Sequence, residues 1–172
     1  LVFADSDWRK HLDTLVRSAF QNSGQICLCG SRLLVERTIH DEFRDAFVQR
    51  VQALHIGDPL EAGTQIGPLV SQAQFDKVLA CIERARSEGG RVLCGGAAID
   101  RPGWFIAPTV IDGLGADCAT NREEIFGPVV TLQAFDSDDN ALQLANASDY
   151  GLSASIFTND LGRAMRVSRG IE

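Results

Sequence analysis

"FQNSGQICLCGSR", Phe20 to Arg32, is the point at which the organisation of the chain declares itself. Upstream of it, Leu12, Leu15, Val16, Ala19 and Phe20 recur at helical spacing, and Gly24 stands as a C-terminal stop. Downstream, Leu33 to Val35 reads as a short strand. A helix delivered through a polar loop into a strand is the basic step of an α/β chain, and the step repeats. Asp41 to Leu54 is helical, with Phe43, Phe47, Val51 and Leu54 on one side. Ser71 caps a further helix whose stripe is Phe75, Val78, Leu79, Ile82 and Ala85, ended by Gly89-Gly90. Arg91 to Cys94, Ile106 to Ile111, Val129 to Phe135 and Ser153 to Thr158 read as strands. Ala141 to Ala147 and a segment carrying Leu161, Ala164, Met165 and Ser168 read as helices. Strands alternating with helices predict an α/β fold with a mostly parallel sheet.

The same stretch raises a chemical question, because it holds Cys27 and Cys29 two residues apart. A thiol is the best intrinsic nucleophile among side chains, but at a pKa of about 8.5 little of it is thiolate at neutral pH. A catalytic cysteine therefore needs access to substrate and help in losing its proton. A loop of Asn22, Ser23, Gly24 and Gln25 can aim a side chain and a backbone N–H at a bound carbonyl. From composition alone, a buried loop cysteine is the commoner situation. Metal binding has less support. Cys-x-Cys supplies two ligands where a closed zinc site wants four, and His11, His40 and His55 are scattered, so no metal is expected. There is no G-x-S-x-G elbow and no G-x-G-x-x-G loop. A second notable stretch is "NREEIFGPV", Asn121 to Val129. A carboxylate on such a loop can accept hydrogen bonds from ribose hydroxyls, and an aromatic can flank a flat ring. The plain alternative is a solvated turn with Phe126 in the core.

Composition narrows the classes. The 172 residues suffice for one domain with a real core, and 45% hydrophobic with 23% charged residues is ordinary for a globular chain. A net charge of -7 without a basic run speaks against nucleic-acid binding. No apolar run approaches the roughly 18 residues of a membrane span, so no membrane partner is expected. Five cysteines, an odd number, do not form a disulfide framework, and a reducing cytoplasmic setting is expected. Leu1 opens on an apolar run and Glu172 lies in a helical pattern, as in a piece of a longer protein.

Taken together these stretches resemble the aldehyde dehydrogenase superfamily. "FQNSGQICLCGSR" is similar to the family's cysteine motif. "IGPLVS" (Ile66 to Ser71), "APTVI" (Ala107 to Ile111), "EEIFGPV" (Glu123 to Val129) and "YGLSASIFT" (Tyr150 to Thr158) follow in the family's order. The resemblance implies the family's three-layer catalytic domain, here residues 1–172 truncated at both ends. It selects Cys27, two after Gly24-Gln25, as the nucleophile. It places Glu124 on the nicotinamide ribose and Phe126 near the nicotinamide, with Gln74 and Lys77 of "QFDK" contacting the cofactor, and Ile26 and Cys29 on the substrate pocket. The implied cofactor is NAD, with NADP as the variant. The implied reaction is oxidation of an aldehyde through a cysteine thiohemiacetal and thioester. "NSGQICLCGSR" looks most like the branch acting on 2-hydroxymuconic and 2-aminomuconic semialdehydes, with betaine-aldehyde-like and aminoaldehyde enzymes as neighbours. The family's glutamate base, its asparagine oxyanion donor and its Rossmann-like cofactor domain precede the matched stretch. The resemblance therefore implies a fragment inactive by itself, from a parent that is a homodimer or homotetramer. A scaffold that kept the fold without the chemistry is the rival reading from another class.

Overall fold

The computed structural model describes residues 1–172. Four strands form one sheet: β1 (Arg32–Glu36), β2 (Arg91–Cys94), β3 (Thr109–Asp112) and β4 (Val129–Phe135), in the order β1-β4-β3-β2. β4 pairs in parallel with β1 and with β3, in registers that set Arg32 against Thr131 and Thr109 against Val129. Only the edge strand β2 is antiparallel, and its pairing with β3 is irregular between Val92 and Cys94.

The near-continuous apolar runs of β1, β3 and β4 are what a sheet buried on both faces requires. Successive side chains point to opposite faces. Leu33 and Val35 of β1, Val110 of β3, and Val130 and Leu132 of β4 join one core. That core is completed by α1 (Trp8–Phe20), through Leu15, Val16, Ala19 and Phe20, and by α2 (Arg37–Gln52), through Phe43, Phe47 and Val51. Phe43 stacks on Phe47 at 5.7 Å and meets Trp8 edge-on at 5.3 Å. On the opposite face, Ile111 and Val129 pack against Val78, Ile82 and Ala85 of α3 (Gln72–Ser87). There too, Leu34 and Phe135 pack with Ala141 of α5 (Asp138–Ala145) and Val167 of α6 (Leu161–Gly170). The expected three layers and mostly parallel sheet are therefore present. A short helix, α4 (Ala119–Arg122), was not foreseen in the sequence.

Three expected elements differ. Ser153–Thr158 is not a regular strand: only Phe157 bridges, to Val2, and Gly151–Ser155 are exposed. Its β-branched and aromatic content suits a strand, but its contact with residues 1–3 is a local one, in which Phe157 donates to the Leu1 carbonyl and accepts from the Phe3 N–H. The strand expected at Ile106–Ile111 begins only at Thr109, because Pro108 has no N–H to give a ladder; Ile106 makes a separate bridge to Ala98. Finally, α1 stops at Phe20. Gln21–Gly24 forms a 3-10 turn in which Asn22 and Ser23 adopt left-handed backbone, with φ of 51° and 56°.

Candidate active site

The two notable loops of the sequence lead directly into β1 and β4, which are bonded neighbours running in the same direction. They therefore emerge side by side at the amino ends of these strands. This is the opposite edge from the carboxyl ends at which open α/β sheets usually bind ligands.

They also touch. Gly24 lies so close to the second loop that a Cβ added to it would stand 1.9 Å from the carbonyl oxygen of Gly127. A run of three left-handed residues, Asn22, Ser23 and Gly24, folds the chain into this approach, and only the last is a glycine. Two anchors hold the turn. Ser23, almost fully buried, donates its hydroxyl to the Gly67 carbonyl at 2.8 Å. The Gln25 side-chain oxygen accepts from the Val70 N–H at 3.0 Å. Both partners belong to the "IGPLVS" stretch, which explains physically why that motif accompanies the cysteine motif.

Ile26 to Cys29 is a turn closed by a 3.0 Å bond from the Cys29 N–H to the Ile26 carbonyl. It separates the two sulfurs by environment. Cys27 is exposed and Cys29 half-buried, with its Sγ 3.7 Å from the Gln21 carbonyl oxygen. Burial pushes the Cys29 thiol up; a hydrogen bond with the Ile26 backbone pulls against this, and a nearby Cys27 thiolate adds to the rise. Cys29 is held as the thiol while Cys27 faces solvent. The Cys27 N–H has no acceptor in the chain.

A cleft of about 870 Å³ brings Cys27, Cys29 and Glu124 together, with residues 148–157 of the "YGLSASIFT" region on its lining. Ile26, Phe126, Gln74 and Lys77 do not line it. The two acids of "EEIFGPV" are not equivalent. Arg84 takes the Glu123 carboxylate at 2.7 Å, whereas the exposed Glu124 carboxylate has no partner. Glu124 is thus the acid free to accept from hydroxyl groups such as those of a ribose. Phe126 is half-buried and has a φ of 59°, a conformation that costs a bulky residue about 1–3 kcal/mol.

Gln74 and Lys77 turn toward this loop. The Gln74 side-chain amide donates to the carbonyls of Ile125, at 3.1 Å, and Phe126, at 2.6 Å. Lys77 Nζ donates to the Glu124 carbonyl at 3.0 Å. At the far end of α3, Glu88 accepts from the N–H groups of Ala119 and Thr120 and from the Thr120 hydroxyl. Sequence reasoning missed Ser23, Arg84, Glu88 and Gly127, because each acts on a segment distant in sequence. No three His, Cys, Asp or Glu side chains cluster as metal ligands would, and no helix is long and apolar enough to cross a membrane.

Glu88 carries a pH prediction. Burial raises its pKa, but the bonds from Thr120 and Ala119, with Arg84 nearby, outweigh it and leave the carboxyl below its ordinary value of 4.5. A group depressed on folding stabilises the folded state above its unfolded pKa and loses that contribution as pH falls through the folded one. Amide exchange at Ala119 and Thr120 should therefore accelerate as pH is lowered below 4.5, after correction for intrinsic rates. In Glu88→Gln that pH dependence should vanish. An equal acid response in both proteins would refute the assignment.

Comparison with known proteins agrees with this architecture. The aldehyde dehydrogenase family model matches residues 1–172. A betaine aldehyde dehydrogenase of Cereibacter sphaeroides is 44% identical over 167 residues, covering 97% of this chain and 35% of that protein. A 2-aminomuconic 6-semialdehyde dehydrogenase of a Pseudomonas species is 46% identical over 174 residues, covering 98% and 35%. Among solved structures, a betaine aldehyde dehydrogenase of Staphylococcus aureus in complex with NAD+ superposes with a TM-score of 0.96 at 36% identity, covering 99% of this chain and 35% of that one. The chain thus spans about a third of the length of these relatives. Matched along its whole length and folded as a solved member is, the chain belongs to the aldehyde dehydrogenase family.

Proposed function

We propose that this chain is the nucleophile-bearing catalytic domain of an NAD(P)-dependent aldehyde dehydrogenase, with Cys27 as the nucleophile. The observation that carries the reading is the shared cleft: the exposed thiol of the cysteine pair and the partner-free acid of the second loop open onto one space. Glu124 is the ribose ligand and Phe126 flanks the nicotinamide. Cys29, on the cleft lining, belongs to the wall around the aldehyde, whereas Ile26 does not line that cleft. The substrate is a semialdehyde, as the Ile26-Cys27-Leu28-Cys29 sequence and the name of the Pseudomonas relative suggest.

The solvent-exposed Cys27 gives up its proton to water, and its sulfur adds to the aldehyde carbon while the carbonyl electron pair moves onto oxygen. The unengaged Cys27 N–H is a ready donor to that oxyanion. NAD, when bound, supplies the hydride acceptor for oxidation of this adduct to a thioester. Releasing the acid requires water and a general base. Neither acid of the second loop takes that role, since Glu123 is tied to Arg84 and Glu124 is reserved for the ribose. The base and the second oxyanion donor belong to the rest of a longer enzyme, a homodimer or homotetramer of the cytoplasm, and the isolated domain does not turn over.

Thiol labelling tests the reading. The full-length protein carrying this chain is treated with substoichiometric alkylating agent, with and without NAD, and the modified cysteine is located by mass spectrometry. Cys27 should react well ahead of Cys29, Cys81, Cys94 and Cys118, at a rate that NAD alters. Equal reactivity of all five would favour the scaffold reading instead.

A further inference from the structure

A second cavity, of about 420 Å³, lies beside the cysteine loop, against the last turns of α1 and α2. Phe20, Leu54 and Ile66 give it an apolar lining. Three charged residues stand on its wall: Asp13, Arg17 and Arg50. Arg50 is neutralised by Asp13, to which its guanidinium donates. Arg17, in the last turn of α1, is exposed and has no acid paired with it. The cavity therefore carries one uncompensated positive charge beside an apolar surface.

The place of this charge is set by α1. Thr14, Arg17, Ser18 and Gln21 fall at helical spacing on one face of the helix and its cap. Thr14 and Ser18 line the cleft that holds Cys27, whereas Thr14, Arg17 and Gln21 line the second cavity. One helix face is thus a common wall of the two spaces, and Thr14 belongs to both. The end of this face is tied to the cysteine turn. The Gly30 N–H donates to the Ser18 carbonyl at 3.1 Å, and Cys29 Sγ lies 3.7 Å from the Gln21 carbonyl oxygen. Arg17 stands one turn further back, about 6 Å along the helix axis from Gln21.

We propose that Arg17 binds a carboxylate at the far end of the substrate, so that the chain serves semialdehydes that carry an acid group and selects against cationic aldehydes. The inference rests on the dehydrogenase reading given above and adds the charge of the substrate to it. A guanidinium donates two parallel hydrogen bonds to a carboxylate, with geometry that a point charge lacks. Apolar neighbours such as Phe20 and Leu54 keep water from one side of the pair and so strengthen it. A short carbon chain spans the distance from Arg17, past Gln21, to the turn that carries Cys27. A cation at the last turn also suits the helix dipole, but that role is indifferent to the charge of a substrate.

The test compares kcat/KM of the full-length protein carrying this chain for succinic semialdehyde, for its neutral methyl ester and for the cation betaine aldehyde. The parent should prefer the acid to the ester by about tenfold or more, the scale of one charge-assisted hydrogen-bonded pair, with the difference in KM. In Arg17→Met that ratio should fall to near unity. Both substrates are measured on one protein, so any loss of folded enzyme cancels from the ratio. Arg17→Lys should keep part of the preference, since the charge survives without the fork. Arg17→Asp should invert the order in favour of betaine aldehyde. A parent with no preference for the acid, or an Arg17→Met variant that retains it, would overturn the proposal. Succinate gives a readout without turnover: by titration calorimetry it should bind Arg17→Met about tenfold more weakly than the parent. Equal succinate binding by the two would also overturn the proposal. Succinate held through Arg17 by a protein that oxidises no aldehyde would sink the dehydrogenase reading and leave the carboxylate site standing. Aldehyde oxidation indifferent to the acid group would sink the site and leave the dehydrogenase.

Discussion

Cys27→Ala in the full-length protein should, on the proposed reading, lower kcat for aldehyde oxidation by at least about 10³-fold, the scale at which removal of a covalent nucleophile is felt. The paired substitution, Cys29→Ala, should lower kcat by less than about tenfold, because on the proposed reading its half-buried thiol lines the pocket without bonding to substrate. Stopped-flow measurement of NADH formation with a semialdehyde, alongside NAD binding to each variant, separates loss of chemistry from loss of the cofactor site. NAD binding should survive in Cys27→Ala. If Cys29→Ala were the crippled protein, the assignment of the nucleophile would be reversed. If both retained full rates, covalent catalysis by this loop would be excluded.

Gly24→Ala destabilises the protein by about 3 kcal/mol or more, the range reached only when a backbone or packing requirement is directly violated. Two separate demands meet at this residue. Its φ is +72°, and a methyl group would overlap the Gly127 carbonyl at 1.9 Å. Gly63 isolates the first demand, since it has a φ of +94° with nothing within 4 Å of an added Cβ. Gly63→Ala should cost only about 1 kcal/mol, from backbone strain alone. Urea unfolding of the three proteins reads the difference. Equal midpoints for the two variants would show that the loops do not press against each other. The clash cannot be relieved by a rotamer change, because the obstructing atoms are backbone.

Much of this was legible in the sequence. The apolar stripe of α3 follows from its period, and the mostly parallel sheet follows from strands alternating with helices. The polar stripe of the same helix could not be read, because nothing local tells Gln74 that its partners lie 51 and 52 residues away. Composition misled at Ser153–Thr158, where strand-forming residues make only an isolated bridge, Phe157 to Val2. In the cysteine loop, Gly24 announced a special backbone, but the left-handed Asn22 and Ser23 beside it did not. Nor could spacing say which sulfur is exposed. That distinction comes from the turn closed between Ile26 and Cys29, which turns one thiol outward and the other against Gln21.

The bare contact of Gly24 on Gly127 has a consequence for how such a protein can be remodelled. Two main chains set the gap between the loops, so no side chain is available there for mutation to tune. Leu28 and Cys29 line the cleft and take no part in that contact. On the proposed reading, diversifying them should change the shape and polarity met by an incoming aldehyde while the spacing between the loops stays as it is. The scaffold thereby separates two design variables, leaving substrate choice open to drift and engineering while the distance across which the reaction occurs is kept out of their reach.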